Sequence, residues 1–99
     1  MLTKSEILSF LAGNKQQLSE KFHLSKIGLF GSYARDENSE NSDIDIIIEF
    51  DSTASHFFQH KFELREMLKG TFNKEVDICR EKSIRAQFKP FILKDAIYV

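Results

Sequence analysis

Apolar and polar positions along the chain fall into short blocks whose period changes several times. Thr3 and Glu6 have the spacing of a capping box, and Ile7, Leu8, Phe10 and Leu11 follow at helical intervals, so a first helix begins near Thr3. Gly13-Asn14 ends or bends it, and the helical pattern resumes with Leu18 and Phe22. Ile27, Leu29 and Phe30 then make a strand over Lys26 to Phe30 that stops abruptly at Gly31-Ser32. Residues Asp36 to Ser42 contain no apolar side chain and form a solvated loop. A second strand runs from about Asp43 to Phe50, a helix with a broad apolar face spans Phe57 to Leu68, and Gly70 stands where a helix stop is expected. Glu75 to Cys79 reads as a third, short strand. A last helix starts near Pro90, which suits a first helical turn, and carries Phe91, Ile92, Leu93, Ala96 and Ile97.

The alternation of helix and strand predicts an α/β or α+β domain with a small mixed sheet flanked by helices. A chain of 99 residues accommodates one such domain over 1–99 and no separate substrate-binding domain. Hydrophobic residues at 41% and charged residues at 29% describe a folding globular chain rather than a disordered one. Lys and Arg number 14 against 15 Asp and Glu, so the broad positive field that grips a phosphate backbone is missing and nucleic acid is not the expected ligand. The charged first turns leave no place for a signal peptide or membrane span, and the lone Cys79, set between apolar neighbours, reads as a buried thiol in a reducing compartment. A cytosolic protein is the expectation.

Chemistry enters with the second strand. Residues two apart on a strand share a face, so Asp43 and Asp45 project together while Ile44, Ile46, Ile48 and Phe50 fill the other side. Two such charges about 6 Å apart repel by roughly 3 kcal/mol at an effective dielectric near 20, unless a cation lies between them. Asp77 repeats the arrangement on the third strand, flanked by Val76 and Ile78. If the two strands are neighbours, three carboxylates meet. Oxygen-only ligation suits a hard cation, and Mg²⁺ in particular is held by one or two carboxylates together with substrate phosphates, which points to a nucleoside triphosphate. Gly31-Ser32, at a strand end and before a helical turn, supplies a backbone that approaches phosphate closely plus an amide and a hydroxyl. Arg35 either contacts phosphate or pairs with an acid of the loop or of the site.

Gly31-Ser32-Tyr33-Ala34-Arg35, Ser42-Asp43-Ile44-Asp45 through Phe50, Glu75-Val76-Asp77-Ile78 and the ending from Lys89-Pro90 to Tyr98 closely resemble the minimal nucleotidyltransferases of the DNA polymerase beta superfamily, across nearly the whole chain. The resemblance implies a polymerase-beta-like fold in which Asp43 and Asp45 bind one or two Mg²⁺. Asp77 would complete the site as ligand or base, and Gly31 and Ser32 would hold the triphosphate of ATP. It further implies transfer of AMP, with loss of pyrophosphate, onto a tyrosine of a HEPN-domain ribonuclease toxin, the chain acting as antitoxin. Two other readings stand beside it: an antitoxin that works by binding alone, and an aminoglycoside-type enzyme with a small-molecule acceptor. The position after Arg35, commonly glycine in the family, is Asp36 here, which leaves the shape of that loop open.

Remaining features carry blander expectations. His56 and His60 lie four apart but lack a third zinc ligand, so they read as a solvated helix face, while Lys61 and Arg65 extend their stems over the core to reach water. Ten phenylalanines exceed an obvious core requirement, so Phe57, Phe58, Phe62, Phe88 and Phe91 either form a contact surface for a partner or are simply buried.

Overall fold

The computed structural model describes residues 1–99. Helix α1, Lys4–Gly13, starts where the Thr3 hydroxyl accepts a hydrogen bond from the Glu6 amide at 3.2 Å. It breaks at Asn14, whose side chain donates to the Phe10 carbonyl at 2.9 Å. Helix α2, Lys15–Phe22, follows directly and ends at His23, which takes the left-handed conformation. The chain then gives β1 (Leu24–Phe30), the single turn α3 (Gly31–Ala34), β2 (Ile44–Phe50), α4 (Phe57–Phe72), β3 (Val76–Arg80), a 3₁₀ turn at Glu81–Ser83, α5 (Lys89–Leu93) and β4 (Ile97–Tyr98).

The four strands form one mixed sheet in the order β3-β2-β1-β4. Strand β1 runs antiparallel to β2 and β4, whereas β2 and β3 are parallel and need the helical crossover that α4 provides. Ile44, Ile46, Ile48 and Phe50 join Ile27, Leu29, Val76 and Ile78 in a core cluster of 17 residues. That cluster also takes Ile7 and Leu11 of α1, Leu18 and Phe22 of α2, and Leu64 and Leu68 of α4. Three helices therefore cover one face of the sheet, while on the other Ile47 and Glu49 of β2 are also buried and only its Asp45–Asp77 end remains accessible.

Three elements depart from expectation. Gly70 lies inside α4 rather than at its end, because the helix continues to Phe72 and stops at Asn73, which adopts the left-handed conformation in glycine's place. The extra turn brings Phe72 edge-to-face onto Phe10, with centroids 5.3 Å apart. The last helix ends at Leu93, so Ala96 and Ile97 are not helical; Ile97 and Tyr98 pair instead with Leu29 and Gly28. Gly28 permits this, since a Cβ there would stand 2.6 Å from the Ile97 carbonyl oxygen. Finally, β2 begins at Ile44, and Asp43 sits just ahead of it.

Candidate active site

In the parallel pair, Ile44 lies opposite Val76, Asp45 opposite Asp77 and Ile46 opposite Ile78. Ile44, Ile46, Val76 and Ile78 all enter the core, so Asp45 and Asp77 both point to the opposite face. The antiparallel partner of Asp45 on β1 is Phe30, and Gly31 follows immediately. Gly31 has φ +75°, and a Cβ added to it would collide with the Asp45 carboxylate, coming 2.9 Å from its Cγ. The glycine turn and the strand acid thus press against each other. Ser32 follows in α3, which is a single turn, so any phosphate would meet its first free amides rather than a developed helix dipole.

Burial first, then the charges of Asp77 and Asp43, push the Asp45 carboxyl up to about 6, with Arg35 alone pulling the other way. All three acids therefore share one field. Arg35 offers partial relief only, because its guanidinium is also engaged by Glu37 at 3.5 Å and Asp95 at 3.8 Å. Arg35 thus follows the pairing reading: it pairs with the loop acid Glu37, and its charge reaches Asp45.

No group of three or more His, Cys, Asp or Glu side chains forms a ready-made metal cage. The donor set still fits one kind of guest: oxygen-only, anionic, and short of positive charge, it matches a hard divalent cation whose remaining ligands come from phosphate and water. Asp43 and Asp77 are exposed and Asp45 is half-buried, and none of the three concavities on the surface includes any of them. The site is an open ledge. The largest hollow, about 590 Å³, lies elsewhere, between α1 and the C-terminal strand, lined by Leu8, Asp36, Ile97 and Val99 among others.

Around the ledge the other candidate residues find their places. Asp36, where the family commonly has glycine, adopts φ +59° and accepts an ion pair from Lys4 at 3.2 Å. Aspartate is among the few residues that tolerate this conformation. Burial raises the Cys79 thiol pKa, opposed by Lys61 and reinforced by Asp77 and Asp45, which agrees with an inert, protonated cysteine. His56 and His60 do not share a solvated face: His56 is exposed ahead of α4, but His60 is half-buried with its ring 5.3 Å from that of His23. All five of Phe57, Phe58, Phe62, Phe88 and Phe91 are exposed, Phe58 at 85% and Phe91 at 73%, so they are not core residues.

One residue escaped the sequence reading. Glu49, in phase with Asp45 on β2, is buried and accepts hydrogen bonds from Arg80 Nε at 2.7 Å and from the Lys82 amide at 2.9 Å. Arg80 in turn lies 4.4 Å over the Phe57 ring. The signal was the period of two that continues from Asp45 through Ile47 to Glu49.

Comparison with known proteins agrees with this geometry. Residues 12–99 match the family described as the nucleotidyltransferase domain. The chain is 43% identical to a candidate protein adenylyltransferase of Methanocaldococcus jannaschii over 100 residues, covering all of both chains. It is 38% identical to the protein adenylyltransferase MntA of Thermococcus cleftensis, covering all of this chain and 98% of that one. A solved structure of a candidate minimal nucleotidyltransferase has the same fold, with a TM-score of 0.79 over 97% of this chain and 95% of that one at 23% identity. A toxin-antitoxin structure with AMP-PNP aligns with a TM-score of 0.57 and 28% identity over 74% of this chain and 59% of that one. With its carboxylate ledge, its glycine turn and relatives more than a third identical along their whole length, the chain belongs to the nucleotidyltransferase domain family and is an enzyme of the minimal nucleotidyltransferase type.

Proposed function

We propose that the chain transfers AMP from ATP, with Mg²⁺, to a tyrosine of a HEPN-domain toxin and so acts as an antitoxin. The observation that carries the reading is the register of Asp45 with Asp77 beside Gly31. The adenylyltransferase names of the relatives and the AMP-PNP in the toxin-antitoxin neighbour support the nucleotide and the pairing with a toxin. An open ledge also favours a protein acceptor over an aminoglycoside, since a small molecule needs walls to orient it.

Asp43 and Asp45 would hold the metal, Asp45 being half-buried against the glycine turn and therefore fixed in direction. When bound, Mg²⁺ neutralises the triphosphate and acidifies the acceptor hydroxyl. Gly31 and Ser32 keep the leaving pyrophosphate in place through backbone amides and the serine hydroxyl. Asp77, exposed at the sheet's edge strand, either joins them on the metal or takes the tyrosine proton as the hydroxyl attacks the α-phosphorus in line. Most of the acceleration then comes from positioning and charge stabilisation.

The test is incubation with labelled ATP, Mg²⁺ and a HEPN-domain toxin as the acceptor. The partner should gain mass in steps of AMP, and Asp43→Asn or Asp77→Asn should slow transfer by about 100-fold or more with an unchanged circular dichroism spectrum. Full transfer by either variant would refute the site. Neutralisation by binding alone is favoured by the exposed phenylalanines, and it would appear as a silenced toxin without any mass shift.

A further inference from the structure

Helix α4 carries two stripes. Leu64 and Leu68 face the core and are fully buried. Phe58, Lys61, Phe62 and Arg65, at positions i, i+3, i+4 and i+7, form the other, and these four alone line a hollow of about 120 Å³. Phe58 is 85% and Phe62 47% exposed, a large apolar pair that the fold itself leaves uncovered. The Arg65 guanidinium lies 5.4 Å over the Phe62 ring, and its sole acidic neighbour, Glu66, is at 4.0 Å. Lys61 forms no ion pair within the chain; its charge is instead felt at Cys79. Helix α4 packs against β3, the edge strand of the sheet that carries Asp77 and Cys79, so the stripe runs along the same edge as Asp77.

We propose that this stripe is the docking surface for the acceptor protein, which lays against it an amphipathic helix whose apolar residues are flanked by Asp or Glu. The inference rests on the adenylylation reading and specifies how its acceptor is held. Anchors at i, i+3, i+4 and i+7 present the ridge that a second helix packs into, and two cations beside two phenylalanines select an acidic flank. A second copy of this chain fits less well, because two-fold packing of the stripe on itself would set Lys61 and Arg65 against their own copies. Docking beside β3 would deliver the acceptor's hydroxyl to the edge where Asp77 stands.

Two variants separate the contributions: Phe58→Ser with Phe62→Ser, and Lys61→Glu with Arg65→Glu. Binding of the HEPN-domain partner is measured by titration calorimetry without nucleotide, and AMP transfer is measured at varied partner concentration. Each double variant should weaken partner binding at least 10-fold and raise the KM for the partner by a similar factor, with kcat and the stabilisation by ATP and Mg²⁺ unchanged. Exchanging acidic residues of the partner's helix for lysine should restore affinity to the charge-reversed variant. Equal affinity of wild type and both variants, no binding by the wild type, or a loss of self-association in place of partner binding would each overturn the docking surface. Absence of AMP transfer by a wild type that binds would overturn the adenylylation reading instead.

Discussion

At Asp45 burial and two neighbouring acids act in one direction. They raise its pKa from 3.8 to about 6, so between those values the folded chain holds a proton that the unfolded chain has released. Stability therefore falls as pH rises from about 4 through about 6, and above that the ionised carboxylate is a standing cost. Because the side chain is half-exposed, solvent screening reduces this to roughly 1 kcal/mol, or a few degrees in Tm. In EDTA, Asp45→Asn should melt a few degrees above wild type at pH 7.5 and level with it at pH 4, as read by calorimetry at both pH values. An equal difference at both would show that charge is not the cause. The common face of Asp45 and Asp77 was legible because strand periodicity fixes which side chains share a face. Glu49 was in the same phase, but its role depends on Arg80 and Lys82, more than thirty residues away, which periodicity does not report. Asp36 lay open for another reason: a left-handed aspartate has no pattern of its own, and the structure alone gives its φ of +59°.

Among the elements, those with strong internal periodicity were readable and those made by partners were not. The broken first helix, β1, β2 and β3 all follow from the spacing of Ile, Leu and Phe. Strand β4 has only two residues and exists because Gly28 lets a backbone approach β1 closely, a long-range event that looked like the end of a helix. The junction of β2 with the 3₁₀ turn is likewise made at a distance, by Glu49. Burial alone would raise the Glu49 pKa, but Arg80 and the amides of Phe50 and Lys82 outweigh it and leave the carboxyl below its usual value of 4.5. Its stabilisation is thus complete above about pH 4.5 and is lost as pH falls through the lower folded value. Glu49→Gln keeps the shape but not the charge, so it should destabilise by about 2 kcal/mol at pH 7. The gap should narrow in acid, where wild type loses the same charge. Urea unfolding at pH 7 and pH 3.5 measures both, and a gap that persists in acid would assign the loss to packing.

Across the whole molecule, the order β3-β2-β1-β4 decides that β2 and β3 are neighbours. No local pattern contained that order; the sequence carried only the condition that the acids meet if those strands do. Three helices pack on one face, and on the other the fold stands with unbalanced negative charge at the exposed end that carries Asp43, Asp45 and Asp77. Such an arrangement ties stability to ligand, because a group that binds only the folded chain stabilises it by RT ln(1 + [L]/Kd), about 2.7 kcal/mol at 100 times Kd. For a domain of this size each kcal/mol moves Tm by roughly 4–8 °C. Mg²⁺ alone should raise Tm a few degrees by relieving repulsion among the acids. ATP alone should do little, since triphosphate and carboxylates repel each other, and the two together should raise Tm by more than 10 °C, beyond the sum of their separate effects. Asp77→Asn should reduce the increment from Mg²⁺ alone, whereas Phe58→Ser with Phe62→Ser, on the neighbouring helix, should leave every increment intact. Additive effects of Mg²⁺ and ATP in thermal scans would mean that metal and nucleotide occupy separate places, and the ledge would no longer account for the reaction.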